Sequence, residues 1–197
     1  MSQKIWKSKL PATIKVFLWY LKRGVVLTNG NLAKPNWYGD KNCCFWHLPE
    51  TIHHLFFQCS YAGFLWQAVQ VSFGINIPAN KDELFSQLLR PNGPKTNTLL
   101  LVAAAALIWA IWLTRNEVIF EKARSKTFLQ VLFRGTRWLC QWASLQCQDE
   151  HKDMLLQACR HLEVYALEFF GYRGWLSSRW IGPVWSIFTF SCLSIYL

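Results

Sequence analysis

The chain has 197 residues, of which 52% are hydrophobic and 16% charged, and it carries 12 tryptophans. That composition excludes a disordered chain and points to a strongly helical, core-heavy or membrane-associated one, with most tryptophans buried or at an interface. The net charge of +10 is concentrated early, where Lys4, Lys7, Lys9, Lys15, Lys22, Arg23, Lys34 and Lys41 face the single acid Asp40. This favours polyanionic partners, nucleic acid or an anionic membrane surface; a solvated basic face is the plainer alternative.

In chain order, residues 11–23 predict an amphipathic helix. Pro11 suits its first turn and Gly24 its stop, with Ile14, Phe17, Leu18 and Leu21 on one stripe. Thr28 is placed to cap a brief helix through Ala33, and Pro35, Gly39 and Asp40 mark a loop. A short helix from Glu50 or Thr51 to Phe57 is followed by one that Ser60 can cap. This second helix reaches Phe73, buries Leu65, Trp66, Val69 and Phe73, and ends at Gly74. Asn80 with Glu83 is a capping-box pattern for a helix that Pro91 terminates. Pro91-Asn92-Gly93-Pro94 is the best internal boundary.

Residues 98–123 form the longest helical pattern, and Asn97 to Thr114 carries no charge. That stretch sits at the lower edge of a membrane span, but its four consecutive alanines favour the central buried helix of a bundle. Ser125 is placed to cap a helix to about Cys147, and a last amphipathic helix covers about Asp153 to Phe170, broken by Gly171 and Gly174. The uncharged tail Trp180 to Leu197 is a terminal membrane segment, a poorly packed extension or sequence added at a shifted gene boundary. No strand alternation is strong enough to predict a sheet. Cys140, Cys147, Cys159 and Cys192 lie in apolar or helical contexts and read as small hydrophobes, so a reducing compartment without a disulfide framework is expected. The N-terminus does not read as a signal peptide.

The chemistry concentrates in residues 43–59, which hold three of seven cysteines and three of five histidines. A zinc knuckle needs four nitrogen or sulfur donors, commonly a Cys-x2-Cys pair with a later His and Cys. Cys43 is a proper first ligand, and His54 and Cys59 supply the second half, but position 46 is Trp, whose ring lone pair is not available to a metal. Cys44 and His47 keep the same spacer shifted by one, so Cys44, His47, His54 and Cys59 are an alternative set. His53 reads as an exposed helix residue, and Leu55, Phe56 and Phe57 as core. Trp6, Trp19 and Trp37 lie near Lys7, Lys15 and Lys34, either as base-stacking groups or as core anchors. Arg115 is expected to pair with Glu117, Glu121 or a neighbouring acid.

Several strings then share a resemblance: Trp6, Leu10-Pro11, Lys15-Val16-Phe17-Leu18-Trp19, Leu27-Thr28, Asn31-Leu32, Trp37 and Gly39. They lead into Cys43, Glu50-Thr51-Ile52-His53-His54-Leu55-Phe56-Phe57, Cys59 and Trp66. Over about residues 4–75 the chain resembles the zinc-binding domain that follows the reverse transcriptase in plant LINE-type (non-LTR) retroelement polyproteins. Trp109 to Phe120 is similar to the helical region that often follows it. The resemblance implies zinc as cofactor, with Cys43, position 46, His54 and Cys59 as ligands, and this chain departs from the pattern at Trp46. It also implies a stand-alone fragment or domesticated relic beginning at its own Met1.

The expected fold is mainly α: a small zinc-knuckle-like helical module followed by a helical bundle. Its parts are 4–75 as the zinc-binding-like domain, 76–97 as a linker with a short helix, 98–171 as a helical region and 172–197 as an apolar tail. No Tyr-x-Asp-Asp polymerase signature, P-loop or carboxylate cluster occurs, so no enzyme activity and no small-molecule substrate is expected. RNA or DNA is the expected partner, through Lys7, Lys9, Lys15, Lys22, Arg23 and Lys34, at an intracellular location (nucleus or cytoplasm). A decayed interaction protein without metal and a small membrane-associated protein are the rival readings.

Overall fold

A computed structural model describes residues 3–32, 39–89 and 96–172. Lys34, Trp37, the Pro91–Pro94 boundary, Gly174, Cys192 and the 180–197 tail lie outside the described residues. The architecture is mainly α. Helices α1 (Gln3–Lys7), α2 (Ala12–Arg23) and α3 (Asn29–Leu32) lead to a hairpin of β1 (Asn42–Cys43) and β2 (Trp46–Pro49). A π-helical turn (His54–Gln58) runs into α4 (Ser60–Phe73), and α5 (Lys81–Leu88), α6 (Thr96–Phe120), α7 (Phe128–Ala143) and α8 (Asp149–Tyr172) follow.

Helix α6 is the axis of the molecule. It packs on α7 along its length and also touches α2, α4, α5, α8 and the π turn. Its run Leu99–Phe120 is long and apolar enough to cross a membrane, but 67% of its most apolar window is buried inside the fold. A helix apolar all round needs partners all round, and here protein supplies them. Small residues allow the close packing. A Cβ on Gly135 of α7 would meet Leu107 Cδ2 at 2.7 Å, so glycine lets the two helices approach at that point.

Local chemistry explains several helix ends. Gly24 and Gly74 end α2 and α4 in the left-handed conformation, with φ of 74° and 63°. Asn80 Oδ1 accepts from Glu83 N at 2.9 Å, while the Glu83 carboxylate reaches Ala79 N at 2.8 Å, one residue further back than in the usual box.

Several boundaries depart from expectation, among them α4, whose N-cap is Cys59 and not Ser60, with no side-chain capping bond. Helix α7 is capped by Thr127, not Ser125, in a reciprocal box with Gln130. The Ser125 hydroxyl is engaged at 2.8 Å by Tyr61, which also donates to the Lys126 carbonyl. Helix α7 also stops at Ala143, short of Cys147. Helix α8 starts four residues earlier than expected, with Asp149 and Glu150 in the first turn, where carboxylates favour the helix dipole, and it runs through Gly171. One glycine costs a helix only about 1 kcal/mol relative to alanine, too little to break it. The hairpin was not expected because strands of two and four residues are too short to display alternation.

One buried ion pair ties the hairpin to the axis. Glu50 and Arg115 are both 0% exposed. Arg115 Nη2 donates to Glu50 Oε1 at 2.7 Å, and Nε reaches both carboxylate oxygens at 3.1 and 3.2 Å. Asn29 completes the set: its N–H donates to Glu50 Oε1 at 2.8 Å, and its Oδ1 accepts from Arg115 Nη2 at 2.6 Å. The guanidinium also lies over the Trp112 ring at 5.1 Å. Arg115 was expected to pair with Glu117 or Glu121, yet Glu117 binds Arg134 at 2.6 Å and Lys126 at 3.0 Å. Backbone bonds from Gly30 N to Glu50 O and from Glu50 N to Lys41 O, both 2.9 Å, hold the carboxylate in place. A Cβ at Gly30 would stand 2.8 Å from the Glu50 carbonyl oxygen, so this approach requires glycine.

Removing one partner leaves the other charged, buried and unpaired. Arg115→Met is therefore expected to cost about 3–5 kcal/mol in urea unfolding, and the double variant Glu50→Leu/Arg115→Met distinctly less than the sum of the singles. Strict additivity would show that the two side chains do not act as a unit.

Candidate metal centre

Three elements bring the cluster together. Cys43 ends β1, His54 opens the π turn, and Cys59 follows that turn directly at the start of α4. Thr51 fixes the approach, its Oγ1 accepting from His54 N at 2.9 Å. The π turn is the device that makes the His-x4-Cys spacing work. Residues five apart on an α-helix point about 140° apart. The wider π turn, closed by Cys59 N donating to His54 O at 2.6 Å, brings the two side chains back toward one face.

The donor atoms of Cys43, His54 and Cys59 all lie within 4.8 Å of one another, and the three residues are buried. The two sulfurs are 4.0 Å apart. Thiolates each about 2.3 Å from a tetrahedral zinc would sit about 3.8 Å from each other, so the spacing fits. The decisive observation is His54. Both its ring nitrogens are buried and make no hydrogen bond of ordinary distance and angle among the described residues, although the ring lies close enough to Cys43 to help favour its thiolate. Buried polar atoms are nearly always paired, so an imidazole without such bonds beside two thiols is a donor set fitted to a soft or borderline cation.

The sulfurs are electrostatically unequal. Hydrogen bonds from Cys44 and Cys59 hold the Cys43 thiol far below the usual thiol range, against the opposing effect of burial. Cys44 and Cys59 are pushed up, first by their hydrogen bonds to Cys43, then by burial and by the charge on Cys43. Cys43 is thus the position where a thiolate is favoured, the form a metal requires.

The remaining sequence candidates are placed as follows. Trp46 is half-buried and faces Cys43 directly across the hairpin ladder. Cys44 lies in the hairpin turn, half-buried and outside the three-donor cluster. His47 is exposed on β2 and is not brought to the cluster. His53 is exposed and stacks near Phe57, while Leu55, Phe56 and Phe57 are core. Of the basic residues, Lys7, Lys9, Lys22 and Arg23 are exposed. Lys15 is half-buried, its Nζ donating to Trp6 O at 3.0 Å. Trp6 is 43% exposed and Tyr20 44%, while Trp19 is half-buried beneath Arg23 at 5.7 Å. Glu50 was not anticipated as a functional position. Its signal in the sequence was a lone acid at the edge of an apolar, ligand-bearing stretch.

A separate apolar groove of about 490 Å³ lies among α4, α5, α6 and α8, away from the cluster. His161 is the one titratable side chain in its lining.

Comparison with known proteins bears on the first part of the chain. Residues 1–66 match a family model described as zinc-binding in reverse transcriptase. No curated protein and no solved structure matches the chain. The matched segment runs from α1 to Trp66 in α4 and contains Cys43, His54, Cys59 and Glu50. The first third of the chain is thus similar to the zinc-binding domain of reverse transcriptases.

Proposed function

We propose that residues 1–66 hold one structural zinc ion in a non-enzymatic, retroelement-derived protein that binds single-stranded nucleic acid through the exposed face of α1 and α2. The observation that carries the metal reading is the buried His54 ring, without an ordinary hydrogen bond, beside sulfurs 4.0 Å apart. Cys43 and Cys59 would supply thiolates and His54 a neutral nitrogen. Zinc, when bound, would crosslink the hairpin to the start of α4 and stabilise the fold. Trp46 faces Cys43 at the place where the family pattern has its second cysteine, so the fourth position is left to a donor other than residue 46.

The nucleic-acid reading rests on charge and aromatic exposure together. Lys7, Lys22 and Arg23 are exposed on α1 and α2, Lys9 is exposed in the turn between them, and Trp6 and Tyr20 on the same two helices are 43% and 44% exposed. Single-stranded nucleic acid is bound by this pairing of phosphate-directed cations with stacking rings. The absence of a reaction from this proposal rests on the sequence, which has no polymerase signature. Trp46 itself favours a second reading, a decayed interaction module without metal.

Metal analysis of purified protein is expected to give one zinc per chain. His54→Ala should abolish it, and acidification should release it as the donors become protonated. Trp46→Cys should tighten binding by completing four ligands; unchanged affinity would remove position 46 from the metal's surroundings. A zinc-free wild-type chain that folds normally would favour the decayed module.

Binding to a single-stranded RNA oligomer, followed by fluorescence anisotropy, should weaken with salt. Four phosphate contacts correspond to a log–log slope of about −3. Lys22→Glu/Arg23→Glu should abolish binding while leaving zinc content unchanged. No affinity at low salt would sink the nucleic-acid reading.

A further inference from the structure

Outside the matched domain, α7 and α8 place two thiols against each other. Cys140 Sγ and Cys159 Sγ are 3.0 Å apart, about 1 Å beyond a bonded sulfur pair. Cys159 is 2% exposed, whereas Cys140 is half-buried. We propose that Cys140 and Cys159 are a reversible disulfide site that fastens α7 to α8 when the protein meets a peroxide.

The surrounding contacts hold the pair in register. Cys159 Sγ also donates to the Thr136 carbonyl at 3.5 Å, one turn before Cys140 on α7. Thr136 Oγ1 donates in turn to Glu163 Oε1 at 2.5 Å, one turn beyond Cys159 on α8. Position 136 therefore meets 163 and position 140 meets 159, so a four-residue step along α7 matches a four-residue step back along α8. The two helices run antiparallel here with their relative slide fixed. The gap left between the sulfurs is about 1 Å.

The exposures assign the order of events. Cys140 is the more exposed residue of the two. Its thiolate attacks one oxygen of a hydroperoxide, the O–O bond breaks, and Cys140 becomes a sulfenic acid as the peroxide leaves as water or an alcohol. Cys159 then attacks the Cys140 sulfur, and the sulfenic oxygen leaves as water with the Cys159 proton. Two thiols are oxidised, one peroxide is reduced, and a dithiol reverses the bond. Burial and the Cys140 hydrogen bond push the Cys159 thiol up, which disfavours it as the first sulfur to be oxidised. A transient bond of this kind is compatible with a reducing compartment, where lasting disulfides are rare.

The other described cysteines do not offer the same site, and Cys44 lies beside Cys43 in the hairpin turn. Cys43 and Cys59 are 4.0 Å apart and belong with His54, and Cys147 is exposed beyond the end of α7.

The test uses the full chain, reduced, treated with hydrogen peroxide, blocked with an alkylating agent and digested for mass spectrometry. The expected result is a Cys140–Cys159 linked peptide as the major product of Cys140, lighter by two hydrogens than the separate thiols and lost on treatment with dithiothreitol. The oxidised protein should melt at a higher temperature than the reduced one. Cys159→Ser should remove both effects, leaving Cys140 as a sulfenic or over-oxidised species, and Cys147→Ser should keep both. Oxidation that yields only Cys43–Cys59 or Cys147-linked products, or leaves Cys140 and Cys159 as free thiols, would overturn the proposal. The wild-type peptide map decides the matter without any variant, and it is independent of zinc content.

Discussion

The buried pair of Glu50 and Arg115 is the constraint on which the arrangement of this protein depends. Glu50 sits at the end of the hairpin that carries Cys43, four residues before His54, and Arg115 sits on the central helix α6. Burying two charges is costly, and their attraction compensates only where geometry is good and the remaining donors and acceptors are satisfied. Here the guanidinium meets both carboxylate oxygens, Asn29 bridges the two, and Asn116 takes the remaining guanidinium arm at 3.0 Å. A shifted docking of the hairpin on α6 would leave a naked charge in the core, so one placement is strongly preferred.

The metal-type cluster inherits that placement. Cys43 is carried by the hairpin, whereas His54 and Cys59 are carried by the π turn and α4, so their convergence depends on how the two pieces are held. Trp66 Nε1 donates to the Phe56 carbonyl at 2.8 Å, and Phe17, Phe56 and Trp112 pack their rings together beneath the turn. The turn is thus clamped from α4, α2 and α6 at once. Single π turns are uncommon, and these contacts hold this one in place.

Much of this was legible along the chain. The stripe Ile14, Phe17, Leu18 and Leu21 foretold the buried face of α2, and Gly24 and Gly74 foretold two helix ends, because a helical period and a left-handed cap are local properties. The alanine-rich run foretold a buried central helix for the same reason. Thr127 as the cap of α7 was hidden by Ser125, an equally good capping residue two positions earlier. What separated them was Tyr61, which is distant in sequence and occupies Ser125. The hairpin was hidden because strands this short have no period to read.

Sequence alone determined which residues could serve a metal and that position 46 departs from the pattern, since ligand chemistry and spacing are written in residue types. Tertiary structure decided which of them meet: Cys43, His54 and Cys59 converge, while His47 faces outward and Trp46 faces Cys43. It also decided that Arg115 reaches across 65 positions to Glu50, passing over the nearer acids Glu117 and Glu121. It set Cys140 beside Cys159 as well. These are contacts between elements, fixed by packing and by the cost of leaving a buried charge or donor unpaired, and nothing local in the chain encodes them.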